Sequence, residues 1–240
     1  MKTLSNQRIV ILGGSSGLGL ATARAAAAEG AEVIIASSSQ ARINNALKSL
    51  PQNASGHAID LRYEANIQDF FSKIGAFDHL VYTAAENLNL KQIADTDLAE
   101  ARNFFTLRFW GALATVKYGA PLIRKGGSIS LTSGIASQRP GAGWGMAAAI
   151  CGAMEGFTRA MAVELAPIRV NAVMPGVIET DLWNGMSDKD RQQFYHSTAS
   201  SLLVKRIGQP EDIAEAFVFL MKQTFATGQT FIIDGGTVLV

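Results

Sequence analysis

Short β-branched runs alternate with longer alanine-rich stretches of helical period along almost the whole chain, and this alternation is the tightest constraint on its fold. Strands without apolar/polar alternation are buried on both faces, and strands separated by helix-length segments read as βαβ units of a parallel sheet. Seven strands are predicted, at 8–12, 32–36, 56–60, 79–83, 128–132, 169–173 and 230–234. Helices are predicted at 16–29, 40–50, 64–74, 98–123, 145–166 and 211–221. The expected fold class is therefore α/β, a doubly wound seven-stranded parallel sheet with helices on both faces. No composition break, charge run or repeat divides residues 1–240, so a single domain is expected. Residues 179–209 show no clear element, with polar residues around Met186, Phe194 and Tyr195, and read as a lid or binding loop.

Hydrophobic residues make up 48% of the chain and charged residues 17%, which excludes a disordered or acidic-tail protein. Lys and Arg number 21 against 20 Asp and Glu, a net charge of +1, so no global field draws the surface to nucleic acid or to a membrane. Neither is expected as a partner, and no metal site is expected. The single cysteine, Cys151, forms no internal disulfide, and the start MKTLSNQR lacks the apolar core of a signal peptide, so a reducing, cytoplasmic setting is expected.

The first predicted strand runs directly into Gly13-Gly14-Ser15-Ser16-Gly17-Leu18-Gly19 and then into an alanine-rich helix. In that context bare backbone N–H groups and the positive helix terminus hold a pyrophosphate. Gly13 permits the tight turn, Gly17 lets a phosphate approach the backbone, and Gly19 lets helix and sheet pack closely. The alternative is a plain strand-to-helix turn, for which three glycines at this spacing are unnecessary.

The spacing G-x-x-x-G-x-G resembles the cofactor loop of the short-chain dehydrogenase/reductase superfamily, with Leu12 at its usual threonine. Further matches follow in order: Asp60-Leu61, the stretch from Arg169 to Thr180 with its Pro175-Gly176 turn, Gly208-Gln209-Pro210-Glu211-Asp212, and Asp234-Gly235-Gly236. Several of these read most like the β-ketoacyl reductase branch. The resemblance implies a Rossmann-like fold and an NAD(P)(H) cofactor. It places Asp60 and Leu61 at adenine, and Thr83, Ala84 and Ala85 in the loop where the family has Asn-Asn-Ala-Gly. Pro175, Gly176, Ile178 and Thr180 would flank the nicotinamide, while Ser15, Ser16 and Leu18 would border the phosphates. It also implies a homodimer or homotetramer, for which the polar-poor segment 143–156 is suited.

At the end of the second strand a carboxylate would accept ribose hydroxyls and repel a 2′-phosphate. Here Ser37, Ser38, Ser39 and Arg42 stand in that region without any acid, a set that suits a phosphate monoester. NADPH is the expected cofactor, with NADH still allowed if the serines only form a solvated turn.

The family's chemistry uses Asn, Ser, Tyr and Lys. By the resemblance the Ser is Ser133, but the Tyr position is Ala147, the Lys position Cys151 and the Asn position Arg108. Ala147 and Cys151 lie i and i+4 on one helix face, so no general acid comes from there. Tyr195 and His196 are read as cover rather than replacement, and Trp144 has no acid function. An arginine within an apolar helix needs a flat oxyanion partner. Arg108 either binds a substrate or cofactor group or bridges to an internal Asp or Glu; both readings stay open. The expected function is an NADPH-dependent oxidoreductase acting on small activated carbonyls such as quinones or conjugated diketones. An NADP(H)-binding sensor or scaffold without turnover is the alternative. Non-redox elimination is disfavoured because it has no need of phosphate-cradling glycines.

Overall fold

The computed structural model describes residues 3–88 and 90–240. Seven strands form one all-parallel sheet: β1 Arg8–Leu12, β2 Glu32–Ser37, β3 Ser55–Ala58, β4 Phe77–Tyr82, β5 Ile123–Thr132, β6 Arg169–Pro175 and β7 Thr230–Ile233. Their order across the sheet is β3-β2-β1-β4-β5-β6-β7. Eight α-helices connect them: α1 Gly17–Ala28, α2 Gln40–Leu47, α3 Glu64–Ile74, α4 Leu98–Phe105, α5 Ala112–Gly119, α6 Gly145–Glu164, α7 Asp188–Ser201 and α8 Pro210–Lys222. This is the doubly wound Rossmann-like sheet that the alternating pattern predicts.

Alternate residues of β1 point to opposite layers. Ile9 and Ile11 join Ala23 of α1 and Phe217 of α8, while Val10 and Leu12 join Phe71 of α3 and Val116 of α5. All four β1 side chains are fully buried, which is why the run carries no polar alternation.

Three expectations are corrected. The helix predicted at 98–123 is three pieces: α4, a wide π turn at Thr106–Gly111, and α5. Tyr82, at the end of β4, donates its hydroxyl to the Leu107 carbonyl at 2.5 Å, taking an acceptor from the helical ladder there. A Cβ on Gly111 would stand 2.5 Å from that same Tyr82 oxygen, so the helix rests directly on the strand end. Second, β5 begins at Ile123, where the helix was expected to end, rather than at Ser128. Third, the segment 179–209 is not without structure: it contains α7, capped by Ser187, whose hydroxyl accepts from the Asp190 N–H at 3.2 Å. Among α7 residues only Tyr195 is fully buried, so the helix leaves no apolar period in its sequence.

Replacing Tyr82→Phe is expected to leave the Leu107 carbonyl without its donor and to lower stability by about 1–3 kcal/mol in urea unfolding. An unchanged midpoint would show that the Tyr82 bond does not hold the wide turn.

Candidate active site

The carboxyl ends of β1, β4, β5 and β6 open into one cleft of about 1340 Å³. A small-molecule pocket is ordinarily about 300–1,000 Å³, so this cleft has room for an extended ligand and a second molecule beside it.

On the β1 side, α1 begins without an acidic residue in its first turn and without a side-chain cap from Ser16, leaving its first N–H groups for an anion. Gly17 has φ +49°, and a Cβ there would meet only the Thr180 side chain, at 3.5 Å, so the space over it is open. A Cβ on Gly19 would fall 2.3 Å from the Gly13 carbonyl oxygen, so no side chain fits where α1 packs on the turn. Gly13, Ser15, Ser16, Gly17 and Leu18 line the cleft, whereas Gly19 serves the packing behind it. The open anion cradle and the close-packed turn together fit a dinucleotide pyrophosphate.

At the end of β2, Ser15 donates to the Ser37 hydroxyl at 2.7 Å, both buried. Arg42 donates to the Ser38 hydroxyl at 3.3 Å. Ser38, Ser37 and Arg42 line the cleft, and Ser39 does not: it caps α2 by accepting from the Arg42 N–H. Further along, the Asp60 carboxylate pairs with Arg62 at 2.6 Å. The hydrogen bond from Arg62 holds Asp60 below the usual carboxylate range. Leu61 is nearly buried beside it. Thr83, Ala84 and Ala85 follow β4, Pro175 ends β6, and Gly176, Ile178 and Thr180 follow it, all on the cleft and on either side of Ser133.

On α6, Ala147 and Cys151 pack with Ala136, Leu90 and Trp144 into a small apolar cluster. Ser133 donates its hydroxyl to the Cys151 carbonyl at 3.1 Å. Burial pushes the Cys151 thiol up, which argues against a thiolate nucleophile. The wide turn delivers Arg108 to the same cleft. Its guanidinium lies 4.8 Å over the Phe104 ring and donates to the Glu86 backbone carbonyl. Its Nε stands 3.5 Å from the Glu86 Oε2. Neither of those two atoms has a hydrogen-bond partner, although both are buried. Burial pulls the Arg108 pKa down, opposed by Glu86, Cys151 and Tyr82. Burial also raises the Glu86 carboxyl, against the pull of its own backbone N–H, Arg108 and Arg62.

Aromatic rings close the far side. Trp183 donates Nε1 to the Ile178 carbonyl at 2.9 Å and lies 4.8 Å from Phe194 and 6.5 Å from Trp144, centroid to centroid. Trp183, Phe194 and Trp144 line the cleft; Tyr195 is buried and does not. Sequence reasoning missed Glu86 and Trp183 as site residues. The one signal for Glu86 was its place directly after Thr83-Ala84-Ala85, an acid next to the loop that the resemblance puts at the cofactor.

Among the described residues no cluster of His, Cys, Asp or Glu could hold a metal, and no helix is long and apolar enough to cross a membrane. A family model described as enoyl-(acyl carrier protein) reductase matches residues 13–238. The chain is also 34% identical, over the full length of both, to the short-chain dehydrogenase/reductase ATR9 of Stachybotrys chlorohalonatus. This chain is a short-chain dehydrogenase/reductase. Among solved short-chain dehydrogenase/reductase relatives, it matches a small-chain dehydrogenase in complex with NADPH, at TM-score 0.87 and 36% identity over 98% of this chain and 99% of that one. It matches the MalC reductase/Diels-Alderase from Malbranchea aurantiaca at TM-score 0.91 and 27% identity, over 99% and 98% of the two chains. As a member of this oxidoreductase superfamily, the chain has the open glycine turn at the carboxyl end of its first strand.

Gly17→Val would force a branched side chain to positive φ, costing about 1–2 kcal/mol, and would fill the open cradle. Calorimetric titration is expected to show dinucleotide affinity weakened at least about tenfold, or 1.4 kcal/mol. Unaltered affinity would place the pyrophosphate elsewhere.

Proposed function

We propose that this chain is an NADPH-dependent reductase of activated carbonyls, such as quinones or conjugated diketones, working without the Tyr and Lys of its family. The observation that carries this reading is a whole dinucleotide cradle facing a wall, Ala147 and Cys151, that has neither phenol nor ammonium. NADPH is preferred over NADH because Ser38 and Arg42 meet the cleft at the ribose end with no carboxylate in the first turn of α2. The relative solved with NADPH supports the preference, and the reductase/Diels-Alderase supports reductive chemistry on this scaffold.

When bound, NADPH supplies a hydride from its nicotinamide. The Pro175-Gly176 turn and Thr83 to Ala85, which line the cleft on either side of Ser133, would hold that ring. Ser133, at the end of β5, and Arg108, on the wide turn, converge on the carbonyl. Ser133 has to turn its hydroxyl from the Cys151 carbonyl to donate there. Arg108 stabilises negative charge on oxygen, more strongly for being buried. An isolated ketone would become a strongly basic alkoxide, and without a positioned acid that barrier rises. A quinone or conjugated diketone that takes the hydride at a ring or alkene carbon conjugated with its carbonyls carries the charge as a delocalised enolate, so a weaker proton source suffices. The segment 179–209 covers the substrate with Trp183 and Phe194. The remainder of the reading is a single-domain, cytoplasmic homodimer or homotetramer. Its assembly would use the exposed α6 face, where Gly152 and Gly156 leave open space.

Purified protein is expected to consume NADPH with a quinone or diketone and to leave secondary alcohols unchanged. Alcohol turnover without quinone reduction would reject the reading. Fluorescence quenching without consumption would identify a binder instead. Arg42→Ala is expected to weaken NADPH about tenfold, near 1.4 kcal/mol, with NADH little affected; equal losses for both would remove the 2′-phosphate argument.

A further inference from the structure

Glu86 and Arg108 contribute two of the four buried side-chain atoms that lack a hydrogen-bond partner among the described residues, Glu86 Oε2 and Arg108 Nε. Both residues line the cleft that Ser133, Ala147 and Cys151 also line. Their side chains meet at 3.5 Å, a contact of charge without a shared hydrogen bond. Those two atoms are buried against each other, while the Glu86 side chain as a whole stays 38% exposed on the cleft and can present its carboxyl, as a donor when protonated, to a third molecule beside Arg108. Resting on the reductase reading above, we propose that Glu86 is the general acid of this site and that Arg108 holds it and the substrate oxygen together.

As hydride forms a C–H bond at a ring or alkene carbon conjugated with the carbonyl, the C=C π pair shifts to make the enolate C=C bond and the C=O π pair moves onto oxygen. Glu86 breaks its carboxyl O–H bond and gives the proton to that oxygen, directly or through one water. Solvent protonates the carboxylate afterwards. The acid and the cation that the family keeps on the α6 wall thus stand on the loop after β4 and on the wide turn. Burial keeps the Glu86 carboxyl protonated to higher pH than an ordinary glutamate, against Arg108 from the wide turn and Arg62 from the loop after β3. Tyr82, beneath, remains a neutral phenol, its pKa pushed up by burial. An acid with a raised pKa works below that pKa and loses its proton above it, so turnover should fall as pH rises through it.

The test uses the whole chain with NADPH and the quinone or diketone that the wild type reduces. In Glu86→Gln, kcat is expected to fall about 100-fold and the high-pH decline to vanish. Calorimetric NADPH affinity should stay within about twofold, which is under 0.5 kcal/mol. Glu86→Asp keeps the charge partner of Arg108 and should retain a pH decline at reduced kcat. Infrared titration without substrate should show a protonated carboxyl, absent in Glu86→Gln, that ionises over the same pH range as the wild-type decline. A wild-type decline that persists in Glu86→Gln with kcat little changed overturns the role of Glu86 alone. A wild type inert to every activated carbonyl overturns the reductase reading, and this proposal with it. If Glu86→Gln does not fold, an Asp variant whose pH profile matches the wild type at full kcat still decides against it.

Discussion

Between β1 and β4 the chain leaves the sheet in opposite directions, and every feature of the site depends on that one reversal. The two strands are parallel neighbours, paired from Ile9 with His79 to Leu12 with Tyr82. Their connections go to different layers, so no helix covers both carboxyl ends and a crevice remains. The glycine turn at β1 and the Thr83–Glu86 stretch at β4 become facing lips of that crevice. A Cβ on Gly13 would stand 2.6 Å from the Ala84 backbone nitrogen, so the lips are in backbone contact. The loop that carries Glu86 thus starts from backbone held against the cradle.

Charge placement follows from the same contact. A buried guanidinium requires a partner, and Arg108 finds Glu86 twenty-two residues away in sequence because Tyr82 draws the Leu107 carbonyl onto the end of β4. Arg108 is also close enough to Cys151 for each to affect the other's ionisation. An ammonium at position 151 would face that guanidinium at short range in a medium of low dielectric constant, where like charges repel strongly.

The parts of the molecule set by local pattern were legible in the sequence. β1 runs from Arg8 to Leu12 as its apolar run predicts, α3 from Glu64 to Ile74, and the glycine turn opens α1. What escaped is set by contacts distant in sequence. The wide turn exists because of a hydroxyl on β4, and nothing between Leu98 and Gly119 signals it. α7 buries mainly Tyr195 against the rest of the chain, too little to impress a helical period on its sequence. Ser39 looks like its two serine neighbours in sequence, yet its backbone position makes it a helix cap facing away from the cleft. Arg108 stood out because its cost of burial is visible from its neighbours; its partner did not, because an acid in a loop looks solvated until the fold closes over it.

Moving the proton source to the β4 side changes which molecules such a cavity can serve. A phenol on α6 would stand beside Ser133 and address the reacting oxygen itself. Glu86 pairs with Arg108 on the loop after β4, and on the proposed reading it serves an oxygen conjugated with the reacting carbon. A substrate that relays charge to such an oxygen uses both walls at once, with Ser133 at the near end and Glu86 at the far end. A simple ketone has only the near end and finds no acid there. The rings of Trp144, Trp183 and Phe194 add a flat apolar boundary along the same cleft. On the proposed reading, conjugated, planar molecules satisfy both demands through the one property of delocalisation.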